Sequence, residues 1–237
     1  MKRTLLLLVA VLSLYMTGMA QERRASPEKK GFLILSAGPS FPVGDFSSTD
    51  FLNNSQAAYA KTGFAIDLHG GYNFIKNFGL GGSIFYSHYS FDEQRLKDQL
   101  VAAGAPSEMN ISVDHWQYYG LVVGPIITGN VSTKTIVDFS LMTGVARANS
   151  PKAEVSIAGT SGSTAEDWAT AVPMKVSGGI RFQVGQNGYL FTGLDYMYME
   201  PKFNFTASGE LNTSAENVPA RQKMTSLNFT VGAGIRF

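Results

Sequence analysis

The chain has 237 residues, a formal net charge of +1, 44% hydrophobic and only 16% charged residues, 25 glycines and no cysteine. That length predicts one domain, or at most two, and the apolar content is enough to bury a core, which excludes a disordered chain. Zero cysteine removes a disulfide framework, a thiolate metal site, a cysteine nucleophile and an acylated lipoprotein anchor, and the near-neutral balance argues against nucleic acid as a partner.

Lys2 and Arg3 precede an apolar stretch, Leu5 to Leu14, and Gly18 and Ala20 stand three residues and one residue before a cleavage point at Gln21. This is the pattern of a cleaved secretory signal peptide over residues 1–20. A membrane anchor needs about 20 apolar residues, and this stretch stops at Thr17-Gly18. Loss of Lys2 and Arg3 takes the net charge from +1 to −1. Residues 21–30 (QERRASPEKK) read as a polar, mobile leader, and 31–237 as a single β-barrel domain. No later segment is apolar for long enough to cross a membrane as a helix. A chain that crosses without helices has to close a barrel, the other architecture that satisfies every backbone group in lipid.

From residue 31 onward the dominant period is two. Phe64, Ile66, Leu68, Tyr72 and Phe74 alternate with Asp67, His69, Gly71 and Asn73; Val176, Gly178, Ile180, Phe182 and Val184 alternate with Lys175, Ser177, Gly179, Arg181 and Gln183. Such alternation specifies strands with one apolar face. Eight runs follow the pattern, near 31–43, 61–75, 78–91, 113–128, 134–149, 172–185, 189–206 and 223–237. Most exceed the usual soluble strand and suit a tilted membrane strand of about 9–11 residues.

The connections alternate in length. Lys76-Asn77, 129–133 and 186–188 are short, the last carrying the hairpin dipeptide Asn187-Gly188; 44–60, 92–112, 150–171 and 207–222 are long and polar. The prediction is all-β: an eight-stranded antiparallel up-and-down transmembrane barrel with short periplasmic turns and long outer loops. Within 91–109 one short amphipathic helix is expected, ended by Gly104 and Pro106.

Aromatic residues mark both strand ends. Tyr86, Trp116, Tyr118, Tyr119, Tyr196 and Tyr198 stand near the long loops and are read as a membrane-interface belt, although aromatics are also ordinary strand formers. On the polar faces lie Asp67, His69, Asp138, Lys175, Arg181, Asp195 and Arg236, three acids and three bases apart from the histidine. Unpaired charges in a low-dielectric interior are costly, so a balanced set is expected to pair across the lumen. Eight strands leave room only for side chains; the expectation is a plugged barrel, with a gated ion path along the charges as the alternative.

Gly79 to Gly82 and Gly232 to Gly234 are not nucleotide fingerprints, since no helix start follows the first and the chain ends with the second. His69, His88 and His115 are the three histidines. No further ligands stand near His69, so neither a metal nor another cofactor is expected. Trp168, in the long loop 150–171, is a candidate partner anchor or a residue folded back on the rim.

Two segments carry a resemblance. The final LNFTVGAGIRF, Leu227 to Phe237, resembles the last strand of bacterial outer-membrane barrels. There a terminal Phe is read by the barrel-insertion machinery, a role that falls to Phe237 here. SAGPSFPVGDF (Ser36 to Phe46) and AKTGF (Ala60 to Phe64) resemble the opening strands of the small outer-membrane β-barrel domain abundant in Bacteroidetes, an OmpA/OmpX-like barrel. The resemblance implies a bacterial outer-membrane location, with contact to outer-membrane lipid, and a barrel architecture more than a chemistry; the leading expectation is a non-enzymatic protein. Its outer loops would serve envelope integrity, adhesion or a surface partner or ligand. A narrow gated pore for ions or small solutes is the alternative. His88 and Ser90 are also similar to the His-x-Ser of lipid A deacylases, with Asp92 or Glu93 as orienting group, but the rest of that pattern is missing.

Overall fold

The computed structural model describes residues 30–51, 53–157, 160–209 and 217–237. The expected signal peptide and nearly all of the leader lie outside the described residues. Fourteen strands occur among those described. The first seven are β1 (Gly31–Pro42), β2 (Gly63–Ile75), β3 (Phe78–Tyr89), β4 (Asn110–Val113), β5 (Trp116–Asn130), β6 (Thr135–Ser150) and β7 (Ala153–Ile157). The others are β8 (Thr160–Thr164), β9 (Asp167–Ala171), β10 (Met174–Val184), β11 (Gly188–Met199), β12 (Lys202–Gly209), β13 (Asn217–Arg221) and β14 (Met224–Arg236). One helix, α1 (Glu93–Ala102), lies between β3 and β4.

The eight long strands, β1, β2, β3, β5, β6, β10, β11 and β14, each pair antiparallel with the next. β14 returns to β1 from Phe32↔Arg236 to Pro42↔Ser226, which closes the barrel and leaves it no edge. The alternation read from the sequence sets the faces. Leu33, Leu35, Phe64, Ile66, Leu68, Ile84, Leu121, Val145, Leu194 and Val231 point outward and are exposed, Leu35 at 58%. Ser36, Ser40, Asp67, Ser83, Asp138, Lys175, Arg181 and Asn228 point inward and are buried. A continuous apolar wall of this extent far exceeds the patches that soluble monomers expose. The polarity is also the reverse of a soluble barrel built around an apolar ligand.

Of the short turns, the one at 185–187 corrects a detail. The turn was expected at 186–188, yet Gly188 already pairs with Val184 as the first residue of β11. The residue with positive φ in this turn is Gly185, at 65°. Replacing Gly185 with Ala is expected to destabilise the barrel by about 1–2 kcal/mol through backbone strain alone, because no atom stands near the added methyl. A shift in the heat-modifiable gel transition of the refolded protein checks this.

The long connections hold more order than the sequence indicated. The run 189–206 breaks at Glu200-Pro201, where proline offers no N–H to a ladder, and β12 begins beyond it. β9 and β10 keep one register against β6 (Ala146↔Ala171, Thr143↔Met174), interrupted at Val172-Pro173, where Thr143 Oγ1 donates to the Pro173 carbonyl at 2.9 Å. Outside the barrel, β4, β7, β8, β12 and β13 form a second antiparallel sheet in the order β13-β12-β8-β7-β4. This crown is assembled from three different loops. α1 falls inside the expected segment. Asp92 caps it by accepting from Arg95 N at 3.3 Å, and Gly104, at φ +100°, follows its end. Glu93 Oε1 accepts from Val113 N at 2.7 Å and ties the helix to the crown.

Candidate functional site

Three layers fill the lumen. At the long-loop end the filling is apolar. Phe46, carried in by the loop after β1, is fully buried and packs edge-on against Tyr89 (5.0 Å between centroids) and Trp116 (5.7 Å). Phe203 of β12 meets Trp116 from the other side at 6.2 Å, and Met197, Met199 and Met224 complete the cluster. Trp116 Nε1 donates to the Ala58 carbonyl at 2.9 Å, so the first loop is fastened to the barrel by a hydrogen bond as well as by packing.

Below this plug runs a chain of hydroxyls. Tyr89 and Tyr118 share a hydrogen bond of 2.6 Å; Tyr89 also bonds Ser40 at 2.5 Å and Tyr118 bonds Ser226 at 2.7 Å. Ser40 donates onward to Asn228 Oδ1 at 2.5 Å. Four strands are linked around the circumference by these contacts. None of these residues except Tyr118 stood out in the sequence; their inward parity was the signal available.

The charged layer follows. Lys175 Nζ donates to Asp67 Oδ2 and to Ser83 Oγ (3.1 Å) and lies 3.4 Å from Asp195 Oδ2. Asp67 accepts further bonds from Ser83 Oγ (2.6 Å) and pairs with His69 Nδ1 (3.0 Å). Toward the short turns, Arg181 forks onto Asp138 through Nε (2.5 Å) and Nη2 (2.6 Å), and Thr128 Oγ1 adds a third bond at 3.0 Å. The Arg181 guanidinium lies 3.8 Å from the Phe32 ring centroid and 5.0 Å from that of Tyr189, so aromatic faces close the barrel around it. Phe191 lies across Gly179 and Gly193, whose missing side chains leave room for its ring. A cavity of about 30 Å³ remains between the charged groups, the space of a single water.

Six of the seven residues predicted for the interior network therefore sit together, in two clusters. Arg236 does not join them. Its Nε donates to the Gln186 carbonyl (2.8 Å) and Nη1 to Gln183 Oε1 (3.2 Å) at the short-turn lip. A cation at the lip is solvated by turn carbonyls and water and has no need of a carboxylate. The network is then three carboxylates, two permanent cations and the His69 imidazole rather than three acids against three bases. Arg236→Gln is expected to cost under about 1 kcal/mol, the scale of an exposed pair, and to leave the lumen unchanged, as measured by thermal unfolding in detergent micelles.

The aromatic belt also needs correction. Tyr86, Tyr119, Tyr196 and Tyr198 lie on the outer wall, but Trp116 and Tyr118 are buried in the lumen. Tyr118 and Tyr119 are consecutive, and consecutive strand residues face opposite sides. Phe237 is exposed on the outer wall, its backbone paired with Gly31.

His88 faces outward, its ring 5.4 Å from Phe64 and 4.6 Å from His115. Among the described residues no hydrogen bond joins it to Ser90, Asp92 is occupied as the cap of α1, and Glu93 is held by Val113 N. The pair lacks the base-to-nucleophile contact that an activated serine requires. Among the described residues no cluster of three metal-ligating side chains occurs. On the crown, Asn110, Ser112, Glu154, Ser156 and Ser161 line a groove with a volume of about 340 Å³. Beside it, Glu154 holds Lys152 at 2.5 Å and raises the ammonium pKa through that bond.

No family model matches the sequence, and no curated protein does. Solved structures do match. The outer-membrane protease OmpT from Escherichia coli superposes with a TM-score of 0.50 at 11% identity, over 91% of this chain and 99% of that one. The chain has the fold of an outer-membrane β-barrel. Neisserial surface protein A (TM-score 0.48, 15% identity, 87% and 97% covered) is similar as well. So is the attachment invasion locus protein Ail of Yersinia pestis (0.42, 16%, 88% and 99%). At these identities the likeness is one of architecture. Since OmpT is a protease, the architecture by itself does not decide whether a member is an enzyme.

Proposed function

We infer that this chain is an integral outer-membrane protein, exported by a cleaved signal peptide, whose closed barrel is a non-enzymatic scaffold for its outer crown. The placement rests on the apolar wall, which lipid solvates and water does not. The scaffold reading rests on one observation above all, the continuous filling of the lumen. Side chains pack across the lumen from Phe46 and Trp116 through Lys175 with its carboxylates to Arg181 between Phe32 and Tyr189, and a cavity of about 30 Å³ remains between the charged groups. The side chains that would line a pore are spent on one another. What faces the exterior is a five-stranded crown with a hydroxyl-lined groove, a surface for adhesion, envelope integrity or a partner. Phe237, exposed at the end of the closing strand, is the group the insertion machinery would read.

Planar-bilayer recording of the refolded mature chain tests this. Protein shown to be inserted is expected to give a silent bilayer. Steady openings that change in Asp67→Asn or Arg181→Gln would make the lumen a narrow ion path and overturn the scaffold reading.

A further inference from the structure

The outer wall changes character at one level. Ile84, Leu121 and Val145 form one outward row across β3, β5 and β6, joined in register. The next row toward the long loops is Tyr86, Tyr119 and Arg147, with Thr170 of β9 beyond. Two residues along a strand are about 6–7 Å, so Arg147 stands just past the last aliphatic row, where head groups replace hydrocarbon. Its guanidinium lies 5.8 Å from the ring centroid of Trp168, whose indole packs on Tyr119 at 5.7 Å. The three side chains fix each other on the lipid-facing side.

Arg147 is exposed, and among the described residues no carboxylate lies within ion-pair distance of it. The other barrel arginines are satisfied, Arg181 by Asp138 and Arg236 by the Gln186 carbonyl and Gln183 Oε1. The acids nearest in sequence to Trp168 have partners of their own: Glu166 accepts from the Asn149 amide at 3.1 Å, and Asp167 accepts from Trp168 N and Asn204 N. A planar fork of five donors, set beside the Trp168 ring and left without a carboxylate at head-group level, matches a phosphate.

We propose that Arg147, braced by Trp168 and Tyr119, binds the phosphate of an outer-leaflet lipid. This rests on the outer-membrane placement inferred above. A specific lipid is then seated against β5, β6 and β9, and anchors the crown to the membrane surface through β9.

The test uses the refolded mature chain in maltoside micelles, which carry no phosphate. Native mass spectrometry reads retention of diphosphoryl lipid A, of the same lipid dephosphorylated, and of glucose 1-phosphate as a soluble phosphate ester. The expected result is retention of the phosphorylated lipid, weakened roughly tenfold or more by Arg147→Gln and less by Arg147→Lys, which keeps charge but loses the fork. The dephosphorylated lipid should bind at least about tenfold more weakly, and the soluble ester should not compete. Equal binding by Arg147→Gln, indifference to phosphate, or full competition by the ester each overturns the proposal. Vesicle flotation separates the two readings. Wild-type protein that fails to float overturns the membrane placement and the lipid site together, whereas floating protein without phosphate selectivity overturns the lipid site alone. Heat-modifiable migration confirms that the variants are folded.

Discussion

Asp67→Asn is expected to destabilise the barrel by about 3–5 kcal/mol, the cost of removing one partner from a buried ion pair. Lys175 is 3% exposed and has three acceptors, of which Asp67 is the one it contacts most closely. The amide keeps the shape of the carboxylate but not its charge, and one of its two heads becomes a donor facing the ammonium. Asp195, at 3.4 Å, then carries the cation alone. Asp67→Asn combined with Lys175→Met is expected to recover most of the loss, because replacing both members by neutral groups of similar volume leaves no orphaned charge. Urea unfolding in micelles, followed by intrinsic fluorescence, measures both. A single variant as stable as the parent, or a double variant no better than the single, would show that Lys175 draws its support elsewhere.

The ion pairs show what was legible in the sequence and what was not. That Asp67, Asp138, Lys175, Arg181 and Asp195 point inward follows from parity, because lipid on one side forces every second residue to be apolar. This is also why seven of the eight barrel strands could be located to within three residues, the exception being the run 189–206, whose barrel strand ends at Met199. Who pairs with whom depends on the stagger of strands and the reach across the lumen. Arg181 finds Asp138 on its neighbouring strand, two positions off register (Gly179↔Asp138), whereas Lys175 reaches across to Asp67. Arg236 has inward parity but sits too near the lip to be desolvated. Trp116 and Tyr118 read as belt residues because they stand at strand ends, a signal with no direction in it; the one-residue step from buried Tyr118 to exposed Tyr119 is the better guide.

The crown was not legible as a separate sheet, for a different reason, and its residues 202–206 read only as the tail of the run 189–206. Its strands are only four to eight residues long, too short for a period to stand out, and they pair across distant segments, as in Ser112↔Glu154 and Ala207↔Thr164. Phe46 and Phe203 were likewise invisible as a plug. Each is a single aromatic residue, and its burial depends on the fold of a loop around it.

Phe46→Ala tests that plug and is expected to cost about 3–5 kcal/mol, the range for a fully buried aromatic residue truncated without repacking. The loss has two parts. The ring leaves its edge-on contacts with Tyr89 and Trp116, and the loop carrying it loses its anchor. The Trp116 bond to the Ala58 carbonyl should then weaken, so hydrogen exchange across 43–62 is expected to quicken more than exchange in β1 or β2. Conductance should nevertheless stay absent. The plug is the outermost of three layers, and Lys175 with its carboxylates and Arg181 between its aromatic rings remain beneath it. A variant that is destabilised yet silent assigns Phe46 to holding the first loop in place. Openings in Phe46→Ala alone would mean that the charged layers do not seal, and that the first loop is the gate of a channel.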